Sequence, residues 1–560
     1  MSYPTLDPLD WSTIQPHVDA LLAAELTPAG ADAWLQQWSD LAAVLYESAA
    51  QIQRAVTENT ADKEAERRFL IHVEQIIPQQ KVASQALRDK LLALPGYAPS
   101  AETTVMLRRF RAEAELFRPA NVPLESELMK LANQYDKTIG GLGIEWEGRT
   151  ETLPQANLHL EDPDRAVRER AWRLIMASYA GQRQKLNDLY LEMLALRRRV
   201  VANADLPDYR AYMWRQYNRF DYTPADCFTF HDAIEHAVVP LARRIYRELS
   251  DKLGVASLRP WDTEADPYGA ALRPFADVAE LEEGAYRIFQ RVDPALAGHF
   301  AAMRQGYLDL PTRTNKAPGG YCSSLPVTGL AYIFMNAAGA DDDVRTILHE
   351  GGHGFHFMES RWHPLVWNHN GPMEFCEVAS MSMELLAASY LARSEGGFYT
   401  EAEARRAYAE ALRRIVRFLP YMAVVDGFQH WVYTEAPADV SAGDLDAKWA
   451  ELWDRFMQGI DWSGLPAERE TGWQRKQHIF SDQLYYVEYG LAQLGALQVW
   501  RNALADQAKA VADYRAALAF GDTRPLPELF RAAGATFAFD RRTVGELMAS
   551  ISTQLERLTA

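Results

Sequence analysis

The stretch HEGGH, residues 349–353, decides how the rest of this 560-residue sequence is interpreted. Residues four apart on an α-helix lie one above the other, so a helix here points His349 and His353 the same way. Two such imidazoles can bind one metal ion, typically zinc. Glu350 then lies where hydrolysis by a metal-activated water needs a general base. The competing interpretation is a helix with two unrelated surface histidines.

The residues around this stretch favour a site. Asp341, Asp342 and Asp343 are suited to the start of a helix, because acids there complement the helix dipole. The predicted helix nevertheless carries three glycines, each costing about 1 kcal/mol relative to alanine. We therefore expect something to approach the helix closely, either a ligand or another backbone. The three glycines are Gly351, Gly352 and Gly354.

A third metal ligand is expected in the stretch GPMEFCEVAS, residues 371–380. Pro372 suits the first turn of a helix, and Glu374 and Glu377 are three apart on one face of it. A catalytic zinc usually has three protein ligands and a fourth position for water. The spacing alone allows either glutamate. The other would then be a helix N-terminal acid or a carboxylate that supports a ligand.

A third segment combines a histidine with tyrosines: His478, Tyr485, Tyr486 and Tyr489 lie on one predicted amphipathic segment that runs to Trp500. Imidazole and phenol groups can donate hydrogen bonds to the negative oxygen of a tetrahedral intermediate. The alternative is an aromatic stripe that packs in a core. Because Tyr486 and Tyr489 are three apart on a shared face, we choose them over Tyr485.

The chain resembles the M3 family of zinc oligopeptidases, in its oligoendopeptidase F-like branch. The similarity lies in three stretches: 346–356 (TILHEGGHGFH), 374–380 (EFCEVAS) and 478–489 (HIF through YYVEY). The family usually has a bulkier residue where Gly351 stands. The resemblance implies one zinc per chain and the following roles: metal ligands His349, His353 and Glu377; general base Glu350; oxyanion donors His478 with Tyr486 or Tyr489.

The resemblance also implies a fold: mainly α, neurolysin-like, with two helical halves around a deep channel and a small β-sheet near the active site. It covers residues from about 115 to 550. We predict an N-terminal helical region (1–115), an oligopeptidase F-like helical segment with a short β-hairpin (116–200) and a zinc peptidase catalytic domain (201–560). Apolar periodicity predicts the following helices: 29–58, 62–94, 100–118, 124–138 and 163–203.

Two short β regions are predicted. Residues 144–152 suit a strand pair, and Leu330–Asn336 suits a single strand that follows a loop at Lys316–Cys322. In the family, an edge strand beside the active site binds the substrate backbone to backbone, which tolerates many side chains. The alternative is a buried strand without a free edge.

Composition limits the partners and the compartment. The net charge of −18 argues against a nucleic-acid or anionic-membrane partner. The run Arg197–Arg199 is too short to be a binding patch and is expected on a solvated face. Three scattered cysteines form no disulfide framework. Residues 1–7 lack the pattern of a signal peptide, and no apolar run is long enough to span a membrane. We expect a cytoplasmic protein.

The sequence therefore predicts a zinc-dependent endopeptidase that hydrolyses internal bonds of short oligopeptides, the length that a deep channel admits. One alternative is a metallocarboxypeptidase of similar helical fold, against which the lack of an arginine just before His353 counts. The other is a catalytically inactive peptide-binding homologue, which would not need Glu350. Cleavage preference and oligomeric state do not follow from the sequence.

Overall fold

The computed structural model describes residues 6–267, 272–313, 315–317 and 319–559. The first five residues of the N-terminal stretch and Pro318 of the predicted loop lie outside these ranges. The described residues form twenty-four α-helices and five strands. The helices are α1 Trp11–Ala23, α2 Ala31–Glu58, α3 Lys63–Ile71, α4 Ile77–Leu92, α5 Ala101–Leu116, α6 Val122–Gly140, α7 Leu153–Asn157, α8 Arg165–Ala180, α9 Arg183–Asn203, α10 Tyr209–Gln216, α11 Pro224–Ala233, α12 Val239–Leu253, α13 Val278–Val292, α14 Pro294–Met303, α15 Asp341–Ser360, α16 Met373–Ala387, α17 Glu401–Thr434, α18 Ala442–Phe456, α19 Pro466–Glu470, α20 Gln477–Ser481, α21 Val487–Ala505, α22 Gln507–Ala519, α23 Leu526–Ala532 and α24 Arg541–Thr559. The strands are β1 Gly143–Trp146, β2 Arg149–Thr152, β3 Leu308–Pro311, β4 Tyr321–Leu325 and β5 Leu330–Ala337.

The chain folds as two compact units, each assembled from three stretches of sequence. The first unit comprises Met1–Phe117, Leu272–Tyr408 and Ala492–Phe537. The second unit comprises Arg118–Ala271, Ala409–Leu491 and Ala538–Ala560. The HEGGH stretch belongs to the first unit, and the segment with His478 and the tyrosines belongs to the second. The predicted division into 1–115, 116–200 and 201–560 stays a prediction.

Most of the predicted helices form, and two of them are interrupted. The helix predicted at 163–203 is two helices, because α8 ends at Ala180 and α9 begins at Arg183. The break falls at Gly181, a residue with low helix propensity. The helix predicted at 62–94 is also divided, by a π-helical turn at His72–Ile76 between α3 and α4.

The sheet of the first unit is built around the predicted strand. Its order is β3-β5-β4, with β3 parallel and β4 antiparallel to β5. The predicted strand is therefore the central one, β5, and most of it is buried. Tyr321 and Cys322, which we expected in a loop, begin β4, whose one strand neighbour in the described part is β5.

The turn between β4 and β5 is fixed by a side chain of α2. The buried carboxylate of Glu47 accepts hydrogen bonds from the backbone N–H of Val327, at 2.7 Å, and of Thr328, at 2.8 Å. A charged acceptor strengthens such bonds. Glu47 therefore holds the tip of the hairpin that carries the edge strand.

None of the helices in the described ranges is both long and apolar enough to cross a membrane.

Candidate active site

Helix α15 begins where its acids predicted. The carboxylate of Asp343 accepts hydrogen bonds from the backbone N–H groups of Ala338, Gly339 and Ala340, each at 2.8 Å. These bonds satisfy donors that would otherwise stay unpaired at the start of the helix. His349 follows the first residue of α15 by about two turns.

The site is formed where α15 packs against α16. His349 Nε2 lies 3.6 Å, and His353 Nε2 3.8 Å, from one carboxylate oxygen of Glu377. The three potential ligand atoms all lie within 4.8 Å of one another. Ligands bound at about 2.1 Å to a tetrahedral zinc are about 3.4 Å apart. Two imidazoles and a carboxylate at this spacing therefore suit a zinc ion.

The packing of α16 distinguishes the two candidate glutamates. Both are buried, but only Glu377 joins the histidine cluster found among the described residues. Its carboxylate also accepts a hydrogen bond from Ser380 Oγ at 3.2 Å, which restrains its orientation. The structure thus brings Glu377, rather than Glu374, to the two histidines.

The glycines of α15 are explained by what packs against them. A Cβ at Gly352 would come within 2.6 Å of the Cα of Ser380, so only glycine lets α15 and α16 pack this closely. A Cβ at Gly351 would lie 2.6 Å from the ring of Phe289. The close approach expected from the sequence is therefore made by a second backbone and an aromatic ring. The Phe289 ring also accounts for the small residue at position 351.

A carboxylate that the sequence analysis missed orients one of the histidines. His349 Nδ1 lies 2.6 Å from Glu384 Oε1, and Arg345 lies 3.7 Å from the other oxygen of Glu384. An imidazole that donates from Nδ1 keeps the lone pair of Nε2 free for a metal. Although burial lowers the pKa of His349, the hydrogen bond and charge of Glu384 raise it to about 9, so a metal that binds Nε2 must displace a proton from it. The sequence contains one indication of this role: Glu384 follows Glu377 by two helical turns, so both glutamates lie on the same face of α16.

The surroundings of Glu350 shift the pKa of its carboxyl toward neutrality. Its side chain is buried, and among the described residues its Oε2 has no hydrogen-bond partner. Burial raises the pKa of this carboxyl to about 7, with the charge of His349 opposing and those of Glu377 and Glu384 adding to the shift. A carboxylate with a pKa near neutrality can both accept and release a proton.

We predict that Glu384→Gln weakens zinc binding about 10- to 100-fold, as the loss of a carboxylate behind a metal-bound histidine typically does. Equilibrium competition with a chelator measures this affinity. Glu359→Gln is a matched control, because Glu359 also pairs with a histidine, His299, at 3.2 Å. Equal zinc affinity of the Glu384 variant and the wild type would contradict the orienting role.

In the second unit, the histidine and the tyrosines do not lie on a single helix, so the continuous segment predicted from sequence is wrong. Helix α20 ends at Ser481 and α21 begins at Val487, and Leu484 between them has a φ of 62°. Tyr485 and Tyr486 therefore belong to the connection between two helices. A left-handed residue cannot continue an α-helix.

The rings nevertheless form one cluster. The ring centroid of His478 lies 5.1 Å from that of Tyr486 and 5.7 Å from that of Tyr489, and its Nε2 lies 3.4 Å from the Tyr489 hydroxyl. Tyr486 is buried, whereas Tyr485 and Tyr489 are half-buried. Burial, with the charge of Lys476, lowers the pKa of His478 to about 3, so its imidazole is neutral and has an N–H to donate.

Another group of potential ligands, in the core of the second unit, does not suit a metal. Cys227, Asp426 and His430 lie close together and are buried. However, Arg210 Nη1 lies 3.3 Å from His430 Nδ1, and a guanidinium can only donate. Nδ1 of a neutral His430 is then the acceptor, and Nε2 carries the hydrogen. Asp426 is paired with His231 at 2.8 Å, so we assign this group to core packing.

Comparison with known proteins identifies the family and the fold. The family model of peptidase family M3 matches residues 158–547, and the chain belongs to this family of peptidases. No curated protein sequence matches the chain. Both the predicted family and the predicted mainly α-helical fold are confirmed.

Solved structures match along the whole chain. One, of a protein assigned as an oligoendopeptidase F, is 25% identical, with a TM-score of 0.90, covering 99% of this chain and 98% of that one. A structure of PZ peptidase A with an inhibitor is 24% identical, with a TM-score of 0.90 and coverage of 100% and 98%. An oligoendopeptidase F assigned in Bacillus anthracis is 20% identical, with a TM-score of 0.86 and coverage of 98% and 96%.

Proposed function

We propose that the protein is a zinc-dependent endopeptidase that hydrolyses internal bonds of short oligopeptides. One observation carries the proposal: two imidazole nitrogens and the Glu377 carboxylate converge at ligand spacing, beside the buried carboxylate of Glu350. His349, His353 and Glu377 would bind one zinc per chain. Membership of peptidase family M3 supports the reaction class.

In the proposed mechanism, Glu350 moves the proton. When bound, zinc would polarise the scissile carbonyl and lower the pKa of a coordinated water toward neutrality. Glu350 accepts the proton of the attacking water and then delivers it to the nitrogen of the leaving amine. Glu384 keeps His349 oriented during this reaction. His478 with Tyr486 or Tyr489 would donate hydrogen bonds to the oxyanion, a role that rests on the family resemblance.

We further propose that the substrate backbone adds to β4. In support, β4 packs against α15, the helix that carries Glu350. The strand therefore lies near the proposed base. Main-chain hydrogen bonds to an edge strand would allow many peptide sequences to bind.

Mapping of cleavage sites tests the function and separates it from its alternatives. A mixture of peptides is incubated with the protein, and the fragments are identified by mass spectrometry. We expect cuts at internal bonds. Stepwise loss of C-terminal residues would instead indicate the metallocarboxypeptidase, and binding without cleavage would indicate the inactive peptide-binding homologue.

We place the enzyme in the cytoplasm, because its three thiols form no disulfide framework.

Tyrosine-to-phenylalanine variants test the oxyanion donors. A single donor of this kind is worth about 2.7–4 kcal/mol, so removal of the true hydroxyl should lower kcat roughly 100- to 1,000-fold, with less effect on KM. We expect Tyr486→Phe or Tyr489→Phe to show this loss and Tyr485→Phe to be tolerated. Steady-state kinetics of the three variants measure it. If all three keep a normal kcat, the tyrosines only pack.

A further inference from the structure

The connection between α20 and α21, residues 482–486, is held from outside by side chains of the second unit. We infer that Arg219, together with its buried partner Glu488, positions the proposed oxyanion donors by fixing this connection. This inference rests on the proposed function, because it concerns the role of His478 and the tyrosines. Arg219 and Glu488 are positioning residues and do not themselves contact the reacting atoms.

Leu484 is the strained point of the connection. Its φ of 62° lies in the left-handed region, which residues other than glycine and asparagine rarely adopt. Side chains hold both of its backbone polar groups. Its N–H donates to Gln429 Oε1 at 2.8 Å, and its carbonyl accepts from Arg219 Nη2 at 2.6 Å. Such strain persists only where the surroundings enforce it, and enforced strain is typical of functional sites.

Arg219 links this backbone to the start of α21. Its Nη2 also donates to Glu488 Oε1 at 2.7 Å, and both side chains are completely buried. The guanidinium lies over the ring of Trp214, at 4.6 Å from the centroid, which restricts its movement. One guanidinium therefore binds residues 484 and 488, on either side of Tyr485 and Tyr486 and immediately before Tyr489.

A second arginine holds the preceding helix in the same way. Arg197 was expected on a solvated face, but it is buried. It donates to the carbonyl of Phe480 at 2.7 Å and to the Tyr433 hydroxyl at 2.9 Å. Phe480 follows His478 by two residues. Both ends of the segment that carries the proposed donors are thus bound by buried guanidinium groups.

This arrangement indicates more than a requirement for stability. Two buried charges lose their hydration, and an apolar pair of similar volume is often at least as stable as a buried ion pair. A connection between helices also does not need a left-handed leucine. Rigid support by surrounding side chains is, in contrast, what donors need if they are to be aligned before the substrate binds.

The test removes the ion pair without leaving one charge behind. In Arg219→Met/Glu488→Met both charges are lost together, which avoids an unpaired buried charge. Since a displacement of about 1 Å can lower turnover roughly 100-fold, we expect kcat to fall roughly 10- to 100-fold. We expect KM to change less than kcat, zinc content to stay at one per chain and Tm to stay near that of the wild type. Glu488→Gln, which keeps the size and an acceptor oxygen, should show a smaller loss in the same direction.

A control is a further buried ion pair of the second unit, Arg168–Asp262, at 2.8 Å. Arg168→Met/Asp262→Leu also removes a buried ion pair, and it is the more disruptive change, because Asp262 binds Arg165 as well, at 2.7 Å. Among the described residues, neither Arg168 nor Asp262 has a hydrogen bond or ion pair to residues 482–488, so the kcat of the folded control should stay near that of the wild type. If the Arg219/Glu488 double variant does not fold, Glu488→Gln decides alone. A wild-type kcat in the folded variants, or an equal loss in the control, would overturn the inference.

The result is distinguishable from failure of the proposed function. If the wild type does not cleave peptides, or all three tyrosine variants keep a normal kcat, the proposed function or its oxyanion donors are wrong. If a tyrosine variant loses turnover but the Arg219/Glu488 variants do not, only the positioning role is wrong.

Discussion

Glu350→Gln is expected to bind zinc and peptide as the wild type does and to lose turnover by roughly 100- to 10,000-fold. The amide has nearly the same size as the carboxylate, so the packing of α15 should be kept. It cannot accept the proton of the attacking water, however. Single-turnover kinetics, zinc content and peptide affinity of the variant measure the three properties separately.

Glu359→Gln serves as the control for this prediction, because it makes the same substitution on the same helix beyond the site. We expect it to keep most of the activity. Turnover of Glu350→Gln above about a tenth of the wild-type value would correspond to a loss of less than about 1.4 kcal/mol. Such a small loss would exclude Glu350 as the general base.

The second large effect is expected from loss of a metal ligand. In His353→Ala or Glu377→Gln, the metal keeps two of its three protein ligands. The loss of zinc affinity should exceed the roughly 10- to 100-fold cost of losing a supporting carboxylate. Dialysis against a chelator, followed by metal analysis, should leave the wild type with one zinc per chain and both variants with little or none.

Glu374→Gln is the matched control for Glu377→Gln, since both glutamates are buried in the first turns of α16. It should keep its zinc, because the structure brings Glu377 to the two histidines. If Glu374→Gln loses the metal and Glu377→Gln retains it, the assignment of the third ligand is wrong. If His353→Ala keeps the zinc content of the wild type, the histidine motif does not form the metal site.

Local patterns in the sequence predict much of this fold and site. The acids at 341–343 predict the start of α15, and the four-residue spacing predicts the shared direction of His349 and His353. The capping box of Thr223 and Asp226 forms at the start of α11, as a threonine, a first-turn proline and an acid three residues on predict. The strand pair near 144–152 forms as β1 and β2. In each of these cases the determining residues are neighbours in the sequence.

The features that could not be predicted depend on residues far apart in the sequence. The His349–Glu384 pair exists because Gly352 lets α15 and α16 pack closely. At the break between α20 and α21, Leu484 is hydrogen-bonded by Arg219, which is 265 residues from it, and by Gln429, which is 55 residues from it. Arg197 was expected on a solvated face as part of a short run of arginines in a helix, yet its partner Phe480 is 283 residues away. Apolar periodicity contains no information about such contacts.

We propose that one zinc, bound by His349, His353 and Glu377, enables this chain to hydrolyse peptides. The decisive experiment titrates the chelator-treated protein with zinc while cleavage of an internally quenched oligopeptide is followed. We expect negligible activity without metal, a linear rise and a plateau at one zinc per chain, with Glu350→Gln binding the same equivalent without gaining activity. Full activity of the metal-free protein would contradict this proposal. It would also be contradicted if Glu377→Gln reached the activity of the wild type at one equivalent of zinc.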